Sequence, residues 1–280
     1  MKIFYKLLKI KCKSFNFVFS NQIKKRMKYG IIITLLCIFI ITSCKKNTEL
    51  FEIDIKCSQA NNLTVRIFSE TETGLKLEDS SKIEMSRAKL SGKVLKPELM
   101  YIFIDNFNDY LPIFVENSNI SIVLNNSKIS KSSVKGSESH KIFTDFVQSY
   151  TAYCDKAAGI KKTLSNAEKN YDTLMMKSME ESYSVLKSEL IDFQVRFVEK
   201  YISTPVACYI ISSHLMYGLS KENLQKLLEE IPNSNKDNKY YFTAKNYLMQ
   251  LKNENEKDTL ITSDNILDQV SDTLWANSRG

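Results

Sequence analysis

The sequence predicts an α+β protein, with an antiparallel β-sandwich-like domain over 51–136 and a helical domain over 137–253. Two observations carry this. Up to Gly136 the apolar residues recur in short segments of period two, and beyond it they recur every three or four residues. A third observation, 43% hydrophobic content with only four prolines, argues against a disordered chain.

Phe51, Ile53, Ile55 and Cys57 alternate with Glu52, Asp54 and Lys56, giving a strand with one apolar face. Leu63, Val65 and Ile67 alternate in the same way with Thr64, Arg66 and Phe68. Leu75 and Leu77 follow Gly74, and Ile83, Met85, Ala88, Leu90 and Val94 fit one or two further strands. The segments 99–105, 110–116 and 120–125 are rich in β-branched and aromatic residues and are separated by Asn, Asp and Ser. Seven or eight such strands suggest a sandwich or an open barrel, with Pro112 marking an edge or a bulge. Ser137 and Glu138 then open a helix with Ile142, Phe143, Phe146, Val147 and Tyr150 on one face. The stripe Tyr171, Met175, Met179, Tyr183, Leu186, Leu190, Phe193, Phe197 and Tyr201 reads as one long helix ending before Pro205. Residues 206–217, 220–230 and 239–252 read as further helices, and 254–280 as a polar tail or loose helix.

The net charge of +7 comes from the front of the chain. Residues 1–43 hold eight lysines and Arg26 but no acidic residue, which leaves 30 basic against 32 acidic residues elsewhere. No nucleic-acid partner follows from the total. Lys24, Lys25, Arg26 and Lys28 precede the apolar run 30–42, in the order of a secretory signal. The run is short for a span of about 20 residues. Its end, Ile41-Thr42-Ser43-Cys44, resembles the bacterial lipobox. That resemblance implies a signal peptide over 1–43 and diacylation of Cys44, with 44–50 as a tether and acyl chains such as palmitate holding the protein to a membrane. The alternative is an uncut signal anchor with Cys44 an ordinary cysteine. Met27 is a second candidate for the start.

Most catalytic chemistries find no support. The closest glycines, Gly74 and Gly92, are 18 positions apart, so neither a GxGxxG turn nor a P-loop can be built. His140 and His214 have no metal-ligand spacing around them; His140 is expected to be solvated at a helix start and His214 to be a core or rim residue. No cofactor and no metal are expected. Ser184-Val-Leu-Lys187 and Ser263-Asp264-Asn265 fit two signatures of penicillin-recognising enzymes, but the third, Lys-Thr-Gly, is absent. Among Cys57, Cys154 and Cys208, buried free thiols are the bland reading; if a bridge forms in an oxidising compartment, Cys154–Cys208 is the better pair. Tyr101, Phe103, Phe107 and Tyr110 cluster around Asp105 and Asp109, as a core with an edge strand or as a contact surface for a ligand or protein.

Phe51 and Ile53, then Leu90, Gly92 and Pro97, then Phe114-Val115-Glu116-Asn117, then Val134, Gly136 and Ser137 follow one another in a distinctive order. With the spacing from Phe197 to Pro205, this layout over roughly residues 50–250 resembles the N-terminal domain of unknown function of lipid-anchored thiol-disulfide interchange proteins of the Bacteroidetes. Such proteins usually continue into a thioredoxin-like domain with Trp-Cys-x-x-Cys. This sequence has no Cys-x-x-Cys, and its one tryptophan, Trp275, has no cysteine beside it. The oxidoreductase activity therefore does not carry over. The resemblance implies an outer-membrane lipoprotein, and Lys45-Lys46-Asn47 after the anchor favours the periplasmic face. The expected role is a tethered binding or scaffold module with an envelope protein partner. The rivals are a thiol-redox accessory and a hydrolase without a recognisable motif. Replacing Cys44 with Ala should abolish lipid labelling and membrane partition; a Cys44→Ala protein that is cleaved normally and still follows the membranes would contradict the lipobox reading.

Overall fold

A computed structural model of the protein describes residues 49–254 apart from Gln59. The signal segment, Ile41 to Cys44, most of the tether and the tail from 255 onward, with Ser263 and Trp275, lie outside the described residues. Alternation in sequence becomes strand: β1 (Phe51–Lys56), β2 (Thr64–Thr71), β3 (Gly74–Lys82), β4 (Arg87–Gly92), β5 (Glu98–Ile104), β6 (Leu111–Val115), β7 (Asn119–Val123) and β8 (Ser133–Lys135). They form two four-stranded sheets, ordered β4-β1-β7-β8 and β3-β2-β5-β6. The inward residues of both, among them Ile53, Ile55, Val65, Ile67, Leu90, Ile102, Ile113 and Ile120, make one buried core. Cys57 and Phe107 join it, and Gly92 leaves the space that the buried Phe51 ring fills, since a Cβ there would lie 2.5 Å from the ring. Pro112 sits on β6, an edge strand, where a missing N–H costs no ladder bond.

One pairing departs from the expected antiparallel sandwich: β1 and β7 are parallel, Ile53 opposite Ile120. The cause is the route between the sheets. The chain leaves β6 at Val115, crosses in three residues, and enters β7 at the end where β1 also begins. The amide of Glu52 donates to the Ser118 carbonyl there, at 3.1 Å.

Helix α1 (Glu138–Lys169) and helix α2 (Thr173–Lys200) form a long antiparallel hairpin, capped at Ser137 and Asp172. The sequence stripe ended at Tyr150, yet α1 runs to Lys169, and its buried residues beyond Tyr150 are the small Ala157 and Ala167, which give no bulky apolar stripe to read. Thr204 caps α3 (Pro205–Ile210), with proline in the first turn where no N–H is needed. A π-helical turn (Ile211–Leu215) follows, then α4 (Lys221–Glu230) and α5 (Lys239–Glu254). The helical core takes two residues from the outer face of the second sheet, Leu99 and Phe114. The Phe114 ring lies 5.8 Å from Phe143, 5.9 Å from Tyr209 and 6.3 Å from Tyr240.

The sandwich-to-helix junction is polar as well as aromatic. The Ser137 hydroxyl donates to the Phe114 carbonyl at 2.8 Å and accepts from the His140 amide at 3.0 Å. The Phe114 amide donates to His140 Nδ1 at 3.2 Å. Glu116 turns its carboxylate onto the helix start and accepts from the amides of Glu138 (2.8 Å) and Ser139 (3.3 Å) and from the Ser139 hydroxyl (2.7 Å). A negative group at free helix-end amides is favourable. Gly136 has φ of +95°, and a Cβ on it would collide with the Asn119 carbonyl oxygen. Asn117 bridges both backbone groups of Val94, at 3.0 and 2.8 Å. A second clamp lies at β5, where the Leu99 amide donates to the Tyr240 hydroxyl at 3.0 Å and Lys239 pairs with Glu98.

Gly136→Ala should destabilise the protein by at least about 2 kcal/mol, through left-handed strain and the clash with β7. Gly159, in open space within α1, gives the opposite sign: Gly159→Ala should stabilise by about 0.5–1 kcal/mol. Urea unfolding of both variants checks the pair.

Candidate contact face and buried polar groups

Strand alternation places Tyr101 and Phe103 on the face of β5 opposite Met100, Ile102 and Ile104. Tyr110, just before β6, turns onto the same face. Its ring is edge-on to Tyr101 at 5.4 Å and tilted against Phe103 at 5.0 Å. Phe68 of β2, opposite Tyr101 in register, completes the group edge-on to Phe103 at 5.5 Å. Next to Phe68 in β3 stand Leu77 and, two residues away, Leu75, which are 48% and 53% exposed. The face is therefore a half-buried aromatic sheet surface with an apolar border, and at Tyr101 it packs against the helical core. Of the four residues expected to cluster, three meet. Phe107 does not; it packs against the sandwich core from its loop. Phe68 was the missed member, and its signal was a large aromatic on the polar side of an alternating strand.

Charged groups bound this surface. Arg66 pairs with Asp105, which also accepts from the Thr64 amide at 3.2 Å. The Arg66 guanidinium holds the Asp105 carboxyl below its usual range. Burial, then the nearby Glu70 carboxylate, raises the Tyr101 phenol, whose hydroxyl lies 3.5 Å from Glu70 Oε2. Asp109 instead secures a loop, accepting from the Ser130 amide at 3.0 Å.

His140 is corrected by the structure: it is buried, not solvated, because its ring fills the junction and its Nδ1 accepts the Phe114 amide. Burial lowers its pKa to about 4. His214 is buried in the π-helical turn among Phe146 (5.1 Å), Tyr150 (5.0 Å) and Tyr209 (5.8 Å), and burial lowers its pKa to about 4 as well. Its Nδ1 has no protein partner. Both rings are neutral at pH 7.

The thiols stand apart from any reactive arrangement. Cys57, Cys154 and Cys208 are all free, so Cys154 and Cys208 are not bridged in this structure. The Cys57 thiol donates to Asn126 Oδ1 at 3.2 Å. Burial pushes the Cys208 thiol up to about 12, which keeps it protonated and unreactive. Cys154 is half-buried and hydrogen-bonded with Tyr150, whose phenol is raised by burial first and by Cys154 second. Ser184 is exposed midway along α2, with Lys187 one turn on. Among the described residues no three His, Cys, Asp or Glu side chains are grouped to hold a metal ion. A groove of about 280 Å³ between α2 and α4, lined by Asp192, Arg196, Asn223 and Lys226, is just below the usual ligand-pocket range of ~300–1,000 Å³.

Residues 51–143 match a family model described as a domain of unknown function (DUF4369). The match begins at the first residue of β1 and ends within the second turn of α1, so it takes in the whole sandwich and the junction with Glu116, Gly136, Ser137 and His140. No curated protein matches the chain. No described helix is long and apolar enough to cross a membrane.

A histidine held neutral by burial stabilises fully above its unfolded pKa of ~6.5, and that contribution is lost as pH falls toward the folded value. Unfolding free energy should therefore drop between about pH 6.5 and 4, by up to roughly 3 kcal/mol per histidine. His140→Asn keeps an acceptor near the Nδ1 position but cannot titrate, so it should flatten the slope in denaturant titrations across that window. An unchanged slope would contradict the assignment.

Proposed function

We propose that the protein is a lipid-anchored, non-catalytic binding or scaffold module of the cell envelope, held by acylated Cys44 at the outer membrane and facing the periplasm. The observation that carries the binding role is the outer face of the second sheet, where Phe68, Tyr101, Phe103 and Tyr110 stay half-buried beside exposed Leu75 and Leu77. Rigid aromatics on a sheet offer a large contact area with little ordering cost, as at the centres of protein interfaces. The motif residues Glu116, Asn117, Gly136 and Ser137 are taken up in building the junction and Tyr101 packs in part against the helical core, which leaves the side of the face with Phe68, Phe103, Tyr110, Leu75 and Leu77 for a partner protein of the envelope.

A second reading, an accessory of a thiol-disulfide interchange system, rests on the sequence resemblance over roughly residues 50–250; the family model matched over 51–143 is a domain of unknown function and assigns no activity. The raised Cys208 thiol weighs against chemistry by this chain itself. Insulin-reduction turnover that disappears in Cys154→Ser or Cys208→Ser would promote the redox reading.

A photo-crosslinking residue at Phe103 should yield one discrete adduct in the native envelope, weakened by Tyr110→Asp. The same residue at Lys89, on the outer face of the first sheet, should not. Equal adducts from both positions, or none from Phe103, would count against the contact face.

A further inference from the structure

We propose that the loop Lys93–Lys96 is a membrane-contact site that lays Leu95 among anionic lipid headgroups; this rests on the anchored reading of Cys44. Strand register decides which end of the sandwich is concerned. Phe51 lies opposite Gly92 in the antiparallel β1–β4 pair, so the residues before β1 and those after β4 leave the sheet at the same end. Six residues lie between Cys44 and Phe51, a reach of at most about 25 Å over the seven steps. An anchor at Cys44 therefore holds this end of the sandwich within that distance of the bilayer.

The loop is fixed while its tip is free. Val94 is buried and both of its backbone groups are bonded by Asn117. Lys96 donates to the Ser234 carbonyl at 2.8 Å and pairs with Asp237 at 3.2 Å. Between these two held residues Leu95 stands 94% exposed. Leu50, at the same end, is 49% exposed. One leucine on a pinned loop is far too small for a protein interface, which takes about 800 Å² per partner. It suits the headgroup boundary, where apolar side chains sink in and neighbouring lysines meet anionic lipid. Lys93 lies two residues before Leu95, and Lys45 and Lys46 follow Cys44 in sequence, with Glu49 the sole acidic residue between Cys44 and Phe51.

Met85 supplies an internal control. It is also 94% exposed, but it precedes β4 and so marks the opposite end of the same strand. The test uses the acylated full chain in a Cys154→Ser background, with Leu95→Cys or Met85→Cys carrying a fluorophore. The protein is reconstituted in vesicles of phosphatidylcholine and phosphatidylglycerol. A spin label on the acyl chains should quench the fluorophore at 95 several-fold more than at 85, and the difference should shrink in phosphatidylcholine alone. Equal quenching at the two positions on vesicle-bound protein would overturn the contact and leave the anchor standing. A chain that does not sediment with the vesicles would overturn both. No change between vesicle types would overturn the anionic preference.

Discussion

The structure depends on how the end of β6 meets the start of α1. A β-sandwich closes its own core, and a helical hairpin of this length cannot close one by itself. The helical layer here is completed by borrowing Leu99 and Phe114 from the back of the second sheet. That arrangement needs α1 to begin at one place and in one direction. Glu116 fixes the place, by accepting from the first helical amides, and Ser137 and His140 fix the direction, by bonding the two backbone groups of Phe114 on either side of its ring. Gly136 permits the sharp approach to β7 that brings Ser137 within reach. The same few residues thus close the sandwich, cap the helix and orient the aromatic hub. This is a physical reason why the family match runs past the last strand into α1.

Much of this was legible in the sequence, and the gaps have particular causes. Alternation located strands such as β1 and β7, which have one buried and one solvated face, whereas β3 has no buried residue and β6 no exposed one, and these showed only as short apolar segments. It missed β8, which is three residues long with only Val134 apolar. It left the parallel β1–β7 pair unseen, since pairing partners are set by the route between sheets and not by periodicity. Residues 206–217 read as one helix, but the turn around His214 widens into π geometry where three aromatic rings crowd the imidazole. His140 was misjudged because position near a helix start says nothing of the sheet packed against it. Glu116, Asn117, Gly136 and Ser137 were visible as a motif, yet their shared purpose appears only when residues 20 apart in sequence are brought together.

The candidate contact face shows the same limit from the other side. Tyr101, Phe103 and Tyr110 were found by their crowding in sequence, and strand geometry joined them to Phe68 from another strand while removing Phe107 to the core. The rings leave a surface that is neither core nor ordinary solvated sheet. The buried histidines and the raised Cys208 thiol belong instead to the packing of the helical layer, where neutral forms are held by burial. The proposed binding at a sheet face and the proposed anchor at the chain's front are consistent with the structural use of the titratable groups.

The central claim is that the junction makes the sandwich and the helical layer one cooperative unit, and native-state hydrogen exchange resolves this most directly. With rising denaturant, the slowest amides of β5 and those in the third and fourth turns of α1 should converge on one unfolding free energy. Glu116→Ala should lower both together. Exchange of the α1 amides at a distinctly lower free energy, with β5 unaffected by Glu116→Ala, would show that the helices open alone and would contradict the account.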